Sequence, residues 1–348
     1  MNQIGFNASV YEIKQRQACL ERIHLFAGQT LYLEVGGYLI EDDHAARVLP
    51  GFDPFAKVRI LRPLLSSTVI LFCVNMLDLV QARVLNAGAN DYESTCLELL
   101  KEVETAFGLK PTVILNFFPE EPDPIVQTFC KRLERLQYVY KKRYFIQSYP
   151  ENSDLILGPQ GFMRDEYIEH SEKLILVTGV SSNSGKFSTC LGQIWQDHNR
   201  GVRSAYAKYE LFPIYNLPLE HPVNLAYEAA TIDIGDQNCL DHYHESAYHQ
   251  KAVNYNRDIE AFELLLAITQ SLVTPEQPPL PYQSPTDMGI NEAGFAIEND
   301  YVIAQAGLEE IKRRHEFYQD LLDKGEGREE WVKKAEELEE LANSFFDC

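Results

Sequence analysis

The chain contains 348 residues, of which 45% are hydrophobic, and it carries a formal net charge of −21 at pH 7. This acidity disfavours extended contact with nucleic acid or an anionic membrane, because such contacts depend on clusters of lysine and arginine. The sequence has no apolar run of about 18 residues, the length needed to cross a bilayer, and its total length predicts more than one structural unit.

The N-terminal segment and the cysteines both predict a cytoplasmic protein. Residues 1–9 have neither a basic start nor the apolar stretch of a secretory signal. The seven cysteines include no C-x-x-C pair, which favours reduced thiols over a disulfide framework or a zinc site. We therefore expect no metal site built from cysteines.

The first 150 residues alternate between strand-like and helical patterns. Four apolar runs predict strands at 30–35, 68–74, 112–117 and 144–148. Apolar residues that recur at intervals of three and four predict helices at 93–106 and 122–140. This order is typical of a Rossmann-like, doubly wound and largely parallel sheet in an α/β fold.

A short helix that follows the first strand carries the first candidate site residues. His44 and Arg47 lie three positions apart, on one helical face, just beyond the carboxyl end of the strand, where open α/β sheets bind ligands. His44 is the candidate catalytic acid or base because its ordinary pKa is nearest neutrality, and Arg47 is a candidate ligand-binding residue. Alternatively, Asp42 or Asp43 caps the helix and both side chains are simply solvated.

Residues 173–190 predict a buried strand, a loop of small polar residues and a helix that begins near Gly185. This arrangement is typical of a P-loop-like phosphate site, because backbone N–H groups, a helix N-terminus and one lysine all favour an anion. The predicted phosphate-binding residues are Ser182, Asn183, Ser184, Gly185, Lys186 and Ser188. Gly179 lies six residues before Gly185 where the P-loop motif has five, and Phe187 stands where the motif has the Mg²⁺-binding hydroxyl. A plain connection between strand and helix is the alternative.

Three later segments are rich in polar residues. Asn224 and Glu228 lie one helical turn apart, a spacing that suits either a polar ligand or a surface hydrogen bond. The segment 253–258 contains two carboxamides, a guanidinium and a carboxylate, which need partners if they are buried. Those partners are either a ligand or an internal network. The residues concerned are Asn254, Asn256 and Arg257 as candidate ligand-binding residues and Asp258 as a candidate catalytic residue. Asp287 is a further catalytic candidate, or it only caps a turn.

The chain is predicted to divide at two places. A Pro- and Gly-rich stretch at 150–167 separates a Rossmann-like domain, 1–150, from a P-loop-like α/β domain, 151–296. A proline-rich connector at 275–284 precedes the C-terminal region. Residues 297–348 form a C-terminal helical hairpin, with helices at 299–324 and 328–346 joined by Gly325-Glu326-Gly327.

Several of these motifs together resemble the DUF1846 or UPF0371 family of uncharacterised bacterial proteins. The resemblance runs from about residue 11 to residue 310 and rests on the segments 43–52, 184–186, 223–231, 253–258 and 284–289. It implies a multi-domain α/β protein with a nucleotide-binding-like loop, and it supplies no catalytic assignments. Members of the family usually continue into a further C-terminal domain, so the resemblance implies a short form.

Two functional hypotheses follow from these patterns. The first is an enzyme that uses ATP or another nucleotide with Mg²⁺, or another small phosphorylated ligand, between the two α/β units. Lys186 and Arg257 would hold phosphate, and Asp258 or Asp287 would position Mg²⁺ or a hydroxyl group. The second is a non-catalytic ligand-binding or scaffold protein with a degenerate phosphate loop, which forms a homo-oligomer through its hairpin. A dinucleotide oxidoreductase is disfavoured because no G-x-G-x-x-G turn follows the first strand.

Overall fold

The computed structural model describes residues 4–65, 68–83, 85, 91–271 and 280–347. Within these residues the chain forms one seven-stranded parallel sheet, flanked by helices, and a two-stranded antiparallel sheet. The strands are β1 (Thr30–Val35), β2 (Thr68–Asn75), β3 (Thr112–Phe118), β4 (Tyr140–Tyr144), β5 (Leu174–Gly179), β6 (Ser204–Tyr209), β7 (Asn238–Leu240), β8 (Val253–Tyr255) and β9 (Gly289–Ile290). The predicted α/β fold class is confirmed.

The α-helices lie between these strands and at the C-terminus. They are α1 (Ala8–Leu25), α2 (Asp43–Val48), α3 (Ala56–Leu61), α4 (Met76–Val80), α5 (Tyr92–Phe107), α6 (Pro124–Arg135), α7 (Ser153–Leu157), α8 (Lys186–His198), α9 (Pro222–Ala229), α10 (His242–Tyr248), α11 (Asn256–Ser271), α12 (Pro285–Met288), α13 (Asp300–Asp323) and α14 (Glu329–Ser344). No helix in the described ranges is both long enough and apolar enough to cross a membrane.

The central strands are buried along their whole length. Every residue of β1, β5 and β6 is buried, and β2 is buried at all but one position. Parallel strands that are covered on both faces have continuous apolar runs rather than alternating patterns, which is why these segments stand out in the sequence. The hydrophobic core lies on and around these strands.

The strand order, β4-β3-β2-β5-β1-β6-β9, places strands from both halves of the chain in one sheet. The chain forms β1, crosses to β2 and continues outward to β4. It then returns with β5 between β2 and β1, and β6 follows on the far side of β1. β5 therefore pairs with β1 and β2, so residues on both sides of position 150 share backbone hydrogen bonds. The division into domains at 150 and 296 stays a prediction.

Most predicted elements are confirmed within one or two residues, and the region around β4 differs. The predicted helix 122–140 ends at Arg135, and Gln137 follows with a φ of +60°, which cannot continue a helix. The predicted strand 144–148 begins earlier, at Tyr140. β4 is an edge strand with the sequence YKKRY, and its charged residues conceal the strand pattern.

The C-terminal helical hairpin is present, and it packs onto the rest of the chain. α13 contacts α9, α14 and α2, and Gly325 makes the turn between the two helices with a φ of +74°. In the proline-rich connector, residues 275–279 lie outside the described residues, as does Cys348. The part of the connector at 280–284 leads into α12.

A buried carboxylate attaches the hairpin to the sheet domain. Glu310 of α13 is 2% exposed and accepts hydrogen bonds from the surrounding basic side chains. Its partners are His44 Nδ1 at 3.2 Å, Arg47 Nε at 2.8 Å, Arg313 Nε at 2.7 Å and Arg314 Nε at 3.1 Å. Burial raises the pKa of Glu310, but the hydrogen bonds from these side chains outweigh burial and hold it well below its usual value.

Substitution of this carboxylate tests its contribution to stability. We expect Glu310→Gln to lower the free energy of unfolding at pH 7 by about 3 kcal/mol, because three arginines lose their shared counter-charge and one of them, Arg314, is largely buried. The lowered pKa means that this stabilisation is present above the unfolded-state pKa of about 4.3 and is lost as the pH falls below it. The difference in stability between wild type and variant should therefore shrink on acidification.

Urea unfolding at pH 7 and at pH 3.5 measures both effects. Glu309→Gln is the matched control, since Glu309 is the neighbouring glutamate on the exposed side of the same helix. Equal stabilities of the Glu310 and Glu309 variants at pH 7 would contradict a structural role for the Glu310 cluster.

Candidate functional site

A cavity of about 460 Å³ opens at the carboxyl edge of the parallel sheet. Its walls come from the segments that follow β1, β3, β4, β5 and β6 and from the start of α11. Open parallel sheets bind ligands at the point where the connections of two neighbouring strands leave in opposite directions. The chain leaves β1 and β5 toward opposite sides of the sheet, so the cavity lies at such a point.

The loop between β5 and α8 has a backbone conformation that few residues allow. Asn183 and Gly185 have φ angles of +64° and +84°. A Cβ atom on Gly185 would lie 2.7 Å from Asn116 Cγ, so both the backbone angle and the available space require glycine. A Cβ atom on Gly179 would collide with Ser184 Oγ. The loop is therefore a tight turn along the cavity wall.

Two asparagines at the ends of neighbouring strands hold this loop. Asn75 Nδ2 donates to the carbonyl oxygen of Asn183 at 3.0 Å, and Asn116 Nδ2 donates to the carbonyl oxygen of Ser184 at 2.8 Å. The loop leads into α8, and no side chain in the described part of the chain caps the N-terminus of this helix. Sequence reasoning missed both asparagines, although a carboxamide at the end of a buried apolar strand is a signal that points to them.

Lys186 is the first residue of α8 and a buried cation in the cavity wall. Lys186 is only 8% exposed, and its Nζ donates a hydrogen bond to the carbonyl oxygen of Ser181 at 3.2 Å. Burial lowers the pKa of Lys186, and the negative charge of Glu34 partly opposes this effect. Among the described residues Lys186 forms no ion pair.

The two residues after Lys186 are already engaged within the protein. The ring of Phe187 packs against Tyr206 with a centroid separation of 5.0 Å. Ser188 Oγ donates to the carbonyl oxygen of Gly185 at 3.1 Å. The position that holds the Mg²⁺-binding hydroxyl in a P-loop is therefore occupied by an aromatic ring, and the next hydroxyl is bonded to the helix backbone.

A group of buried ionisable residues lies deeper in the site, around Lys208. Lys208 Nζ pairs with Glu210 Oε1 at 2.9 Å, and it also contacts Asp258 and the Tyr255 hydroxyl. Burial raises the pKa of Glu210 to about 7, and the charge of Asp258 adds to the rise while Lys208 opposes it. A carboxyl with a pKa near neutrality is suited to accept and release protons.

Two arginines line the same cavity, and each has an acidic partner. Arg143 Nη2 lies 3.0 Å from Asp165 Oδ2 and also donates to the carbonyl oxygen of Ser188 at 2.9 Å. Arg257 Nη2 donates to Asp236 Oδ2 at 2.7 Å. Both guanidinium groups are thus fixed in place, and their charges are compensated within the protein.

Comparison with known proteins identifies the family of this chain. Residues 4–343 match the family described as "Domain of unknown function DUF1846, N-terminal". The chain belongs to the DUF1846 family. A UPF0371 protein of Corynebacterium diphtheriae is 42% identical over 315 residues, which cover 90% of this chain and 62% of that protein. A UPF0371 protein of Streptococcus pyogenes is 39% identical over 340 residues, which cover 97% of this chain and 67% of that protein.

A similar relative occurs in Corynebacterium efficiens, at 43% identity over 311 residues that cover 89% of this chain and 62% of that protein. This DUF1846 chain therefore spans about three fifths of the length of the Corynebacterium relatives. The names of these relatives state no activity, so an argument about function depends on the geometry of the cavity.

Part of the predicted site of this DUF1846 chain lies together at the cavity. The loop residues 182–186, with Ser188, form one wall, and Arg257 and Asp258 lie in the wall contributed by α11. The sequence patterns did not identify Glu34, Lys208 and Glu210 as candidate site residues. Charged residues within or directly after strands that are otherwise apolar are the signal that would have found them.

His44 and Arg47 lie outside the cavity. Both side chains bind Glu310, as described above, and so attach the C-terminal hairpin to the fold. The His44 ring packs edge-on against Phe212, with centroids 5.3 Å apart, and contacts Tyr227 as well. Since Phe212 and Tyr227 are lining residues, His44 lies behind the cavity wall.

Asn224 and Glu228 also act within the protein interior. Asn224 is fully buried, and its Oδ1 accepts from the backbone N–H of Ile214 at 2.8 Å. Glu228 Oε2 accepts from the backbone N–H of Asn238 at 3.0 Å, and Oε1 lies 2.9 Å from Lys334 Nζ. Both side chains are bonded inside the protein, whereas the sequence left open a polar ligand or a surface hydrogen bond for this pair.

The two carboxamides of the segment 253–258 have separate positions. Asn254 lines a second cavity, of about 530 Å³, between α1 and the segment around β9. Asn256 Oδ1 accepts from the backbone N–H of Gln237 at 3.0 Å, so its side chain braces a neighbouring segment. Neither side chain lines the first cavity, which contains Lys186.

Asp287 lies at the second cavity and caps a helix. It forms a capping box with Ser284 at the start of α12, and its Oδ2 also accepts from the Tyr248 hydroxyl at 2.8 Å. Its predicted role as a partner of Lys186 would need a different position. Within the described ranges, no group of three or more His, Cys, Asp or Glu side chains is arranged to hold a metal ion.

The raised pKa of Glu210 predicts a pH-dependent stability. The protonated form is favoured in the folded state, so its stabilising effect is complete below the ordinary pKa of 4.5 and is lost as the pH rises to about 7. Glu210→Gln cannot ionise, so we expect the stability of the variant relative to wild type to increase between pH 5 and pH 8. An increase of roughly 1–3 kcal/mol is expected, since one pKa unit corresponds to about 1.4 kcal/mol.

Urea unfolding at intervals of one pH unit measures this difference. The control is Glu260→Gln, which removes an exposed glutamate at the rim of the same cavity. If the free energies of unfolding of wild type and of Glu210→Gln differ by the same amount at every pH from 5 to 8, Glu210 has no raised pKa in the folded protein.

Proposed function

We propose that the cavity binds a small phosphorylated molecule and that the phosphate group lies against the loop 181–185 and Lys186. One observation carries this proposal. Lys186 is a buried ammonium with no acidic partner among the described residues, and its single hydrogen bond goes to a neutral carbonyl oxygen. An unpaired buried cation is costly, and a bound anion removes that cost.

The backbone around Lys186 supports the same ligand chemistry. α8 contains 13 residues, and its N-terminus has no capping side chain. The unbonded N–H groups of a first helical turn, together with the helix dipole, favour an anion at this end. The left-handed backbone at Asn183 and Gly185 gives the preceding loop the kind of turn that presents N–H groups to an anion. The Lys186 side chain and the backbone of the loop and of the α8 N-terminus therefore lie at the same wall of the cavity.

The residues after Lys186 favour a phosphate ester over a Mg²⁺-bound triphosphate. In P-loop proteins a hydroxyl directly after the lysine binds Mg²⁺. Here that position is Phe187, which packs on Tyr206, and the Ser188 hydroxyl is bonded to Gly185. ATP with Mg²⁺ is the second ligand class, and calorimetric titration with ATP plus Mg²⁺ and with a phosphate ester alone distinguishes the two.

We further propose that the protein is an enzyme and that Glu210 transfers protons at the bound ligand. Glu210 and Asp258 line the cavity, and Lys208 lies between them. A carboxyl with a pKa of about 7 has the proton affinity that acid–base catalysis at neutral pH requires. The alternative is a non-catalytic ligand-binding protein, which the occupied Mg²⁺ position at Phe187 favours. Phosphorus NMR of a bound ester over several hours distinguishes turnover from binding.

A cytoplasmic location and assembly into a homo-oligomer complete the proposal. The cysteines in the described part of the chain are all free, and five of them are buried. Free buried thiols are typical of a reducing compartment. The hairpin helix α13 contacts α2, α9 and α14, so a partner copy would bind the exposed residues of the hairpin.

Replacement of Lys186 separates a binding role from a structural role. We expect Lys186→Met to weaken the binding of inorganic phosphate at least tenfold, because the variant loses a cation that has no acidic partner among the described residues. We also expect the ligand-free variant to be more stable than wild type by about 1 kcal/mol, because a buried unpaired charge is replaced by an apolar side chain of similar length. Calorimetric titration and urea unfolding measure the two effects.

Lys173→Met is the matched control, because Lys173 is an exposed lysine just before the same strand, β5. The control should bind phosphate as the wild type does. Loss of stability in the Lys186 variant, with phosphate binding unchanged, would show that the lysine braces the fold and does not hold phosphate.

A further inference from the structure

Among the described residues, all but two of the buried charged groups in the cavity wall form ion pairs. The ion pairs at the wall are Asp42–Lys57, Arg143–Asp165, Lys208–Glu210, Lys208–Asp258 and Arg257–Asp236. The exceptions are Lys186 and Glu34, which both line the cavity and form no ion pair within the described ranges. Lys186 is assigned above to phosphate, so Glu34 is a buried charge that this assignment leaves unexplained.

Glu34 is held at the carboxyl end of β1, the strand next to β5. It is 5% exposed, and its Oε2 accepts a hydrogen bond from the Tyr206 hydroxyl at 2.8 Å. Its Oε1 accepts no hydrogen bond from the described part of the chain. Glu34 pairs in register with Val177, two residues before the end of β5, so it lies on the strand beside the phosphate loop.

A carboxylate at this position is unfavourable for the protein alone. Burial raises the pKa of Glu34, and the charges of Lys208 and Lys186 only partly oppose the rise. A largely buried carboxylate without a counter-ion costs free energy, and an apolar residue would avoid that cost. An acceptor that is fixed by Tyr206 and open toward a cavity is suited to receive a donor from a ligand.

The surroundings of Glu34 indicate which donor fits. Lys186 forms no ion pair within the described residues and its charge acts on Glu34, so a cationic group on the ligand would be repelled there, whereas Arg143, Lys208 and Arg257 are paired with carboxylates. A neutral hydroxyl group donates to a carboxylate without that penalty and forms a strong, charge-assisted hydrogen bond. The donor must also belong to a molecule whose phosphate reaches the adjacent loop.

We propose that the ligand is a phosphorylated polyol, such as a sugar phosphate, and that Glu34 accepts a hydrogen bond from one of its hydroxyl groups. This inference rests on the proposed phosphate site at Lys186. The two unpaired charges then have separate tasks, since Lys186 holds the phosphate and Glu34 selects for the hydroxylated carbon skeleton. A site built to bond a hydroxyl discriminates strongly against ligands that lack one, because its buried acceptor is left unpaired.

Calorimetric titration of the full chain at pH 7.5 tests the proposal with defined probes. The probes are inorganic phosphate, butyl phosphate, ribose 5-phosphate, glucose 6-phosphate, fructose 6-phosphate and myo-inositol 1-phosphate. We expect at least one of the four polyol phosphates to bind tenfold or more tightly than butyl phosphate, which has no hydroxyl group. Glu34→Gln should reduce that preference to threefold or less and leave the affinity for inorganic phosphate equal or higher.

Two further variants test whether the preference for polyol phosphates depends on the oriented Glu34 carboxylate. Glu151→Gln makes the same charge change at an exposed position of the cavity rim and should retain the preference. Tyr206→Phe keeps the charge of Glu34 but removes the hydrogen bond that orients it, so we expect a three- to tenfold loss of preference. This variant also tests the proposal if Glu34→Gln does not fold.

The outcomes distinguish this inference from the proposed function. Phosphate binding that depends on Lys186, with no polyol phosphate tighter than butyl phosphate, overturns the inference and leaves the phosphate site intact. A polyol preference that survives in both the Glu34 and the Tyr206 variants also overturns it. Failure of every probe, inorganic phosphate included, overturns the proposed function and the inference together.

Discussion

The position of β5 between β1 and β2 is the constraint on which the rest of the structure depends. β5 forms parallel hydrogen bonds with both neighbours, and all three strands are almost entirely buried. Because the chain leaves β1 and β5 in opposite directions, their connections cannot cover the gap above the two strand ends. The same pairing places the loop after β5 beside the carboxyl end of β1. A one-residue shift of register would move each side chain to the opposite face of the sheet, so strand pairing and site geometry are inseparable.

Pairing of buried charged groups with opposite charges is a second feature that shapes this protein. Glu310, surrounded by basic side chains, attaches the C-terminal hairpin, and the ion pairs of the cavity wall fix Arg143, Lys208 and Arg257. Such pairs add modest net stability, but loss of one partner leaves the other exposed to the full cost of desolvation. They therefore act mainly as geometric restraints. The rim residues Glu151 and Glu260 are exposed, so water hydrates their charges.

The sequence predicts the elements better than their arrangement. Buried strands such as β1 and β5 stand out as apolar runs, and the turn before Lys186 is recognisable by its small polar residues. The insertion of β5 between β2 and β1 leaves no local signal, because strand order depends on pairing between distant segments. His44 illustrates the same limit, since its partner Glu310 lies 266 positions away. Spacing suggested a catalytic histidine, whereas the ring is held behind the cavity wall. Glu34 was missed because one charged residue in a buried strand does not change the apolar pattern around it.

Lys186 and Glu34 have opposite charges and line the same cavity, yet they do not form an ion pair. A direct contact would satisfy both groups, and each charge does shift the pKa of the other toward its charged form. The surrounding bonds explain why the groups stay apart. The Tyr206 hydroxyl holds the Glu34 carboxylate on β1, and the carbonyl oxygen of Ser181 holds the Lys186 ammonium on the loop. Two opposite charges that are separated by fixed partners leave a polar gap that the protein itself does not fill. A ligand with an anionic group and a hydrogen-bond donor completes both contacts without rearranging the site, and such preorganisation lowers the free-energy cost of binding.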